Sequence, residues 1–194
     1  MLPTSLSLLD RLRHAPSAED WQRIHDIYRP LIHTWLTRIP GLRDEIDDQM
    51  QEVLLIVVRE IAEFTRQREG SFRAWLRAIT VNRVRGYWRE RKKRPLVGLD
   101  PSATEGFLDR LADPADELAA QWDRDHDQHV VNHLLASVRG DFQSTTWEAF
   151  RRFALAGVPA AQVGAELGLS EAAVMLAKCR VLKRLREEAG GLLD

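Results

Sequence analysis

The 194-residue sequence has a single cysteine, no long apolar run and almost no net charge. The one cysteine, Cys179, excludes an internal disulfide bond and a zinc site built from several cysteines. The longest uninterrupted apolar stretch, 53–58, is far shorter than the roughly 20 residues that a transmembrane helix requires. The N-terminus has no basic segment ahead of an apolar one and no small-residue cleavage site. We therefore expect a soluble cytoplasmic protein with no membrane partner.

Strand signals are absent as well, because no segment alternates apolar and polar residues between turns. Helical spacing recurs instead. Ser17 and Asp20 resemble a capping box ahead of a first long helix, and further helices are predicted over 44–64 and 72–93. Since 53–58 is apolar all round its helix, we expect it to be buried. Four short helices are predicted towards the C-terminus, over 130–138, 145–155, 160–167 and 171–188. The predicted fold class is all-α.

The net charge of −1 conceals an uneven distribution. Residues 59–94 carry 12 basic and 4 acidic groups, whereas residues 95–140 carry 3 basic and 9 acidic groups. This pattern predicts a polyanion-binding surface followed by a segment that avoids nucleic acid or imitates it. Scattered prolines and glycines over 95–113 predict a linker. We predict two small helical domains, 1–94 and 128–194, joined by an acidic linker, 95–127.

The C-terminal segment fits a helix-turn-helix motif. Gly164 provides the small residue that the helix crossing requires, Gly168 can adopt the positive φ of the turn, and Ser170 is suited to cap the second helix. Basic side chains later in that helix suit phosphates, although a plain helical hairpin with a basic face is the alternative. Residues 172–177 offer no hydrogen-bonding side chain to a base edge. We therefore expect recognition to depend on groove shape and backbone contacts.

The third predicted helix interleaves aromatic and basic residues. From 83 to 94 it carries seven basic residues against one acid, which favours nucleic-acid binding over a merely solvated face. Its earlier aromatic residues, Phe72 and Trp75, share a helical spacing with Leu76 and Ile79 that favours a place in the core. The alternative is that aromatic faces stack on unpaired bases.

Other chemistry is weakly indicated. His126, His129 and His133 are spaced three and four apart, but no fourth ligand accompanies them, so a solvated helix between the domains is expected instead of a metal site. The acidic cluster from 44 to 48 has no partner histidine, phosphate-binding loop or nucleophile motif. We expect no catalytic residue, no metal and no cofactor.

The order of these blocks resembles a bacterial sigma factor of the extracytoplasmic-function type, in the sigma-70 superfamily. Residues 44–64 are similar to region 2.2, whose Asp-x-x-Gln-Glu-Val core begins here at Asp48. Residues 70–95 are similar to regions 2.3 and 2.4, and the helix-turn-helix is similar to region 4.2. The resemblance covers nearly the whole chain. It implies a promoter-specificity subunit without catalytic activity.

The resemblance also implies partners and contacts. The partners are core RNA polymerase, through its β and β′ subunits, and promoter DNA, with an anti-sigma factor typical of the family. The loop 65–71 would receive a base flipped from the −10 element, and 95–127 would thread towards the RNA exit channel. The residues that would contact polymerase are Asp48, Gln51 and Glu52. Those that would contact the −10 element are Phe72, Trp75, Asn82, Arg83, Arg85 and Arg89. Those that would contact the −35 element are Met175, Leu176, Cys179, Arg180, Lys183 and Arg184.

Two other functions remain as alternatives. A self-sufficient helix-turn-helix regulator would bind duplex operators without polymerase. A metal-dependent enzyme would need stoichiometric metal in the purified protein.

Overall fold

The computed structural model describes residues 8–65, 71–91, 101–189 and 192. Within these ranges the regular secondary structure is helical and includes no strand, which confirms the all-α prediction. The chain divides into two compact units, whose main segments are Leu8–Val130 and Val131–Gly190. No helix of the described residues is both long and apolar enough to cross a lipid bilayer.

The first unit contains five complete α-helices among its described residues, and a sixth that continues into the second unit. The predicted capping box is present: Ser17 Oγ accepts a hydrogen bond from the backbone N–H of Asp20, whose carboxylate accepts one from the N–H of Ser17. The helices are α1 Leu8–His14, α2 Ala18–Leu36, α3 Ile46–Glu60, α4 Ser71–Arg91, α5 Pro101–Ala112 and α6 Glu117–Val138.

The core of the first unit lies among α2, α3, α4 and the first half of α6. Apolar side chains from these helices are almost fully buried, as their helical spacing predicts. Aromatic rings extend this core, and Trp35 on α2 packs against Trp122 on α6. Its almost completely buried members from α2, α3 and α4 include Ile32, Leu36, Val53, Phe72 and Leu76.

The segment 95–127, predicted as an acidic linker, is helical over most of its described part. It includes α5 and the start of α6, and it belongs to the first unit, which ends at Val130 instead of residue 94. The apparent linker signals mark helix starts. Pro101 opens α5, where the first helical position needs no N–H, and Asp116 Oδ1 accepts the N–H of Leu118 as α6 begins.

The histidine-containing half of α6 is packed, and the prediction of a solvated helix there is wrong. His126 is buried, with Nε2 3.3 Å from the Tyr28 hydroxyl and Nδ1 3.0 Å from Asp127. Nε2 of His129 donates to the carbonyl oxygen of Ile27 at 2.6 Å. The contacts with Tyr28 and Ile27 attach α6 to α2.

The second unit begins with the end of α6 and adds three further α-helices in its described part. Its core comprises Val163 on α8 with Val174, Ala177 and Val181 on α9, against Ala149 on α7. A π-helical turn, Arg151–Leu155, follows α7, which splits the helix predicted over 145–155. The helices are α7 Ser144–Phe150, α8 Ala160–Leu167 and α9 Glu171–Ala189.

The turn between α8 and α9 has the local features that the sequence predicts. Gly168 ends α8 with φ of 67°, in the left-handed region that favours glycine. A Cβ on Gly164 would lie 2.6 Å from the carbonyl oxygen of Leu169, so only glycine fits there. Ser170 Oγ accepts the N–H of Ala173 at the start of α9.

Candidate nucleic-acid interface

One face of α4 carries the amide and guanidinium groups expected to contact DNA. Asn82, Arg85 and Arg89 are spaced three and four residues apart, so they share a face of the helix. Asn82 and Arg89 are exposed, and Arg85 is partly exposed. These three side chains and Trp88 form one wall of a cavity of about 400 Å³. The opposite wall belongs to α5 and consists of Thr104, Glu105 and Leu108.

Several arginines of α4 already have carboxylate partners within the first unit. Arg85 Nη2 lies 2.5 Å from Asp109 Oδ1 on α5, and Arg83 Nε lies 3.9 Å from Glu52 on α3. Arg83 is thus within ionic reach of an acid predicted to bind polymerase. The positive charge of the helix is therefore partly neutralised by its own chain.

The arginines in the first half of α4 have a structural role. Arg77 is buried and donates to Asp123 at 2.7 Å and to the carbonyl oxygen of Ala119 at 3.1 Å. Arg73 forms an ion pair of 2.9 Å with Asp127. These ion pairs connect α6 to α4. Asp123 and Asp127, which fall within the predicted linker, thus pair with arginines of α4.

Phe72 cannot contact DNA, because only 1% of it is exposed. Its ring packs among those of Tyr28, Phe64 and Trp75, with centroids 5.4 Å away in each case. The prediction that Phe72 binds the −10 element is therefore wrong, and its helical spacing correctly indicated the core.

Trp75 is partly exposed and lines an open cavity of about 560 Å³. Thr65 and Ser71, the ends of the loop predicted to receive a flipped base, line the same cavity. The rest of that loop, 66–70, lies outside the described residues. Trp75 therefore remains available to a base, whereas Phe72 does not. The remaining lining residues are Glu60, Glu63 and Phe64.

The polymerase-binding candidates share one exposed face of α3. Asp48, Gln51 and Glu52 are all exposed, at the spacing that brings residues of successive turns together. Leu55 continues this row, and 58% of it is exposed. Leu55 was not among the predicted polymerase contacts, although its spacing from Gln51 and Glu52 places it on their face.

The prediction that the whole of 53–58 is buried is wrong. Val53 and Val57 are buried on the core side of α3, whereas Leu55 and Val58 are exposed on the other. Leu55 and Val58 are one helical turn apart, so they place two neighbouring apolar side chains on this exposed face. The unbroken apolar run thus combines core residues with a candidate interface.

The candidate −35 residues on α9 divide into two groups. Met175 and Leu176 are exposed large apolar residues, and Cys179 is exposed as well. Arg184 differs, because it forms ion pairs of 2.7 Å with Asp141 and with Glu188. Arg184 thus stabilises the second unit. The residues that share the exposed face are Met175, Leu176, Cys179, Arg180 and Lys183.

Metal chemistry finds no support in the described part of the chain. No three His, Cys, Asp or Glu side chains there are grouped as a metal ion would require. His126 and His129, whose spacing raised the question of a metal site, form hydrogen bonds with Tyr28 and Ile27.

Comparison with known proteins identifies relatives of one kind. Residues 24–94 match the family model of sigma-70 region 2. The ECF RNA polymerase sigma factor SigF of Caulobacter vibrioides is 28% identical over 153 residues, which are 79% of this chain and 75% of that protein. The probable RNA polymerase sigma factor RfaY of Xanthomonas campestris pv. campestris is 28% identical over 142 residues, 73% of this chain. The match covers only 33% of that second protein.

Proposed function

We propose that this chain, which belongs to the extracytoplasmic-function group of the sigma-70 family of RNA polymerase sigma factors, directs core polymerase to promoters by binding the −10 and −35 elements. The observation that best supports this proposal is the location of the region 2 match. It covers both the exposed face of α3 and the amide and arginine face of α4. Such a protein has no catalytic role of its own and acts in the cytoplasm, where polymerase and promoter are.

Core polymerase would bind the α3 face. Leu55 lies one helical turn after Gln51 and Glu52 on the same face of α3, and all three side chains are exposed. An apolar centre with a polar rim is the usual composition of a protein–protein interface. Leu55 therefore joins Asp48, Gln51 and Glu52 as a proposed contact.

The −10 element would bind the face of α4 that carries Asn82, Arg85 and Arg89. The asparagine amide can donate to a base and accept from it, while the two guanidinium groups suit phosphates. Trp75 would stack on an unpaired base in the cavity beside Thr65 and Ser71.

The −35 element would bind α9 as the recognition helix of a helix-turn-helix. Met175 and Leu176 can contact thymine methyl groups, and Arg180 and Lys183 can contact phosphates. Since Arg184 is held by Asp141 and Glu188, we do not retain it as a direct DNA contact.

A polymerase-binding assay tests this function. The double variant Asp48→Asn/Glu52→Gln should lose affinity for purified core polymerase by at least about tenfold, since charged hydrogen bonds at an interface are costly to remove. The control is Glu19→Gln/Asp26→Asn, which removes the same charge from exposed positions on α2. Equal binding by both variants would contradict the α3 site. No binding of core polymerase by the wild type, together with tight binding to duplex DNA, would support a self-sufficient regulator instead.

A further inference from the structure

Helix α5 lies against the face of α4 to which we assign the −10 element. The two helices enclose the 400 Å³ cavity, with Asn82, Arg85 and Arg89 on one side and Thr104 and Leu108 on the other. A DNA strand that followed the α4 face would therefore meet α5. The position of α5 therefore affects how much of the α4 face a DNA strand can reach.

The contact between the two helices is charged. Asp109 Oδ1 on α5 lies 2.5 Å from Nη2 of Arg85, which is the geometry of a charge-assisted hydrogen bond. A phosphate oxygen bound to Arg85 would occupy the same position. The carboxylate of Glu105 belongs to the same cavity wall and adds a second negative group. In this respect α5 presents to α4 the chemistry of a nucleic-acid backbone.

Helix α5 lies closely along α4, and three of its side chains are buried. Thr104, Leu108 and Leu111 are its buried side chains, and Thr104 Oγ1 donates to the carbonyl oxygen of Pro40 at 2.8 Å. The first half of α6, by contrast, buries Trp122 and is fastened by the buried Arg77. Detachment of α5 would expose Leu108 and Leu111, but it would leave the contacts of Trp122 with Trp35 and of Arg77 with Asp123 in place.

We propose that α5 is an intramolecular competitor that occupies Arg85 on the −10 face of α4 in the free protein and is displaced when a DNA strand binds. This inference rests on the proposed function, because it concerns the regulation of the same site. If Arg85 is available to DNA only in a fraction of molecules, the apparent affinity for DNA falls by that fraction. The free protein then binds DNA weakly, despite the 12 basic residues between 59 and 94.

A matched pair of variants tests the competition. Asp109→Asn removes the negative charge that pairs with Arg85, and because the Asp109 side chain is 64% exposed, the fold should tolerate the change. Glu117→Gln removes the same charge from the start of α6, where the carboxylate pairs with Arg124 instead of α4. The probe is a fluorescent single-stranded oligo-dT, and binding is followed by anisotropy. We expect Asp109→Asn to bind about three to five times more tightly than Glu117→Gln, as release of one exposed ion pair allows.

Equal affinity of the two variants would overturn the proposal, because charge removal alone would then explain any gain. A second measurement follows α5 itself. On adding oligo-dT to the wild type, backbone amides of 102–112 should exchange with deuterium faster, while those of 119–130 should not. Unchanged protection of α5 at saturating oligonucleotide would also overturn it.

Failure of this inference can be distinguished from failure of the proposed function. The α3 face is separate from α5, so Asp109→Asn and the wild type should bind core polymerase with the same affinity. If the wild type binds core polymerase but Asp109→Asn gains no DNA affinity over Glu117→Gln, only the competition is wrong. If the wild type does not bind core polymerase, the proposed function is wrong.

Discussion

The indole rings of Trp35 and Trp122 pack with their centroids 5.0 Å apart, and both side chains are almost completely buried. Trp35 belongs to α2 and Trp122 to α6, so this contact closes the core of the first unit across about half the sequence of the chain. Residues 117–130 therefore belong to the same folded unit as residues 24–94, which match the family model.

Trp122→Ala should destabilise the first unit strongly. Removing a fully buried tryptophan costs about 3–5 kcal/mol of unfolding free energy, through lost transfer energy and the cavity left behind. Urea denaturation followed by circular dichroism measures this. Trp21→Ala, at a half-buried position on α2, is the control and should cost much less. Equal costs would mean that α6 is attached only loosely.

The stability of the first unit should decrease in mild acid because of His126. Burial lowers the pKa of His126 below its ordinary value of 6.5, with the charge of Arg73 acting in the same direction and the carboxylates of Asp127 and Asp123 opposing it. The unfolded chain therefore takes up a proton at a higher pH than the folded one. Stability is full above pH 6.5 and is lost as the pH falls below it, towards the folded pKa.

Urea denaturation at pH 7.5 and pH 5.5 checks this dependence, and His126→Gln should reduce it. His25→Gln, at an exposed position on α2, is the control and should keep it. Carboxylates with lowered pKa values, such as Asp20, lose their contribution only at lower pH. A pH dependence that is unchanged in His126→Gln would assign the effect to other groups.

Gly164→Ala should disrupt the α8–α9 turn. The added Cβ would lie 2.6 Å from the carbonyl oxygen of Leu169, so the backbone must move, at a cost of about 1–3 kcal/mol. Binding to −35 duplex DNA should fall, while binding to core polymerase through α3 should persist. Gly140→Ala is the matched control, since a Cβ there meets nothing within 4 Å. If both variants behaved as the wild type, the close approach of residue 164 to the carbonyl oxygen of Leu169 would not be what constrains the turn.

Arg180 and Arg184 should respond differently to substitution by alanine. Arg180 is exposed on α9, so Arg180→Ala should weaken −35 binding and reduce the salt dependence by about one unit of slope, without changing stability. Arg184→Ala removes the partner of Asp141 and Glu188, so it should lower the denaturation midpoint of the second unit. Duplex binding titrated at several salt concentrations, and thermal melting, separate the two effects. If Arg180→Ala lowered the stability and Arg184→Ala weakened DNA binding, the roles assigned to the two arginines would be wrong.

The sequence predicted the helices well where spacing and capping agree. Ser17, Gly164 and Gly168 all occupy the positions that their chemistry indicates. It failed over 101–127, because a proline at the first position of α5 and a capping aspartate before α6 look like linker signals until the helices after them are known. The pairing of Arg77 with Asp123 joins distant parts of the chain, which periodicity cannot reveal.

The candidate site, like the fold, could be predicted only in part from the sequence. The α3 face followed from spacing, but the exposure of Leu55 was hidden within an apolar run. The helical spacing of Phe72 indicated its burial, whereas the ion pair of Arg184 with Asp141 joins separate elements of the second unit. Residue type and spacing alone therefore could not separate the arginines that form internal ion pairs from those available to DNA.

Transcription by core polymerase with the purified protein, on a library of genomic fragments, tests the proposed function most directly. The predicted result is a set of discrete start sites that share one −10 and one −35 sequence and disappear when the protein is omitted. Asp48→Asn/Glu52→Gln should abolish them. Start sites that do not depend on the protein, together with tight binding of the protein alone to duplex DNA, would contradict its role as a promoter-specificity subunit.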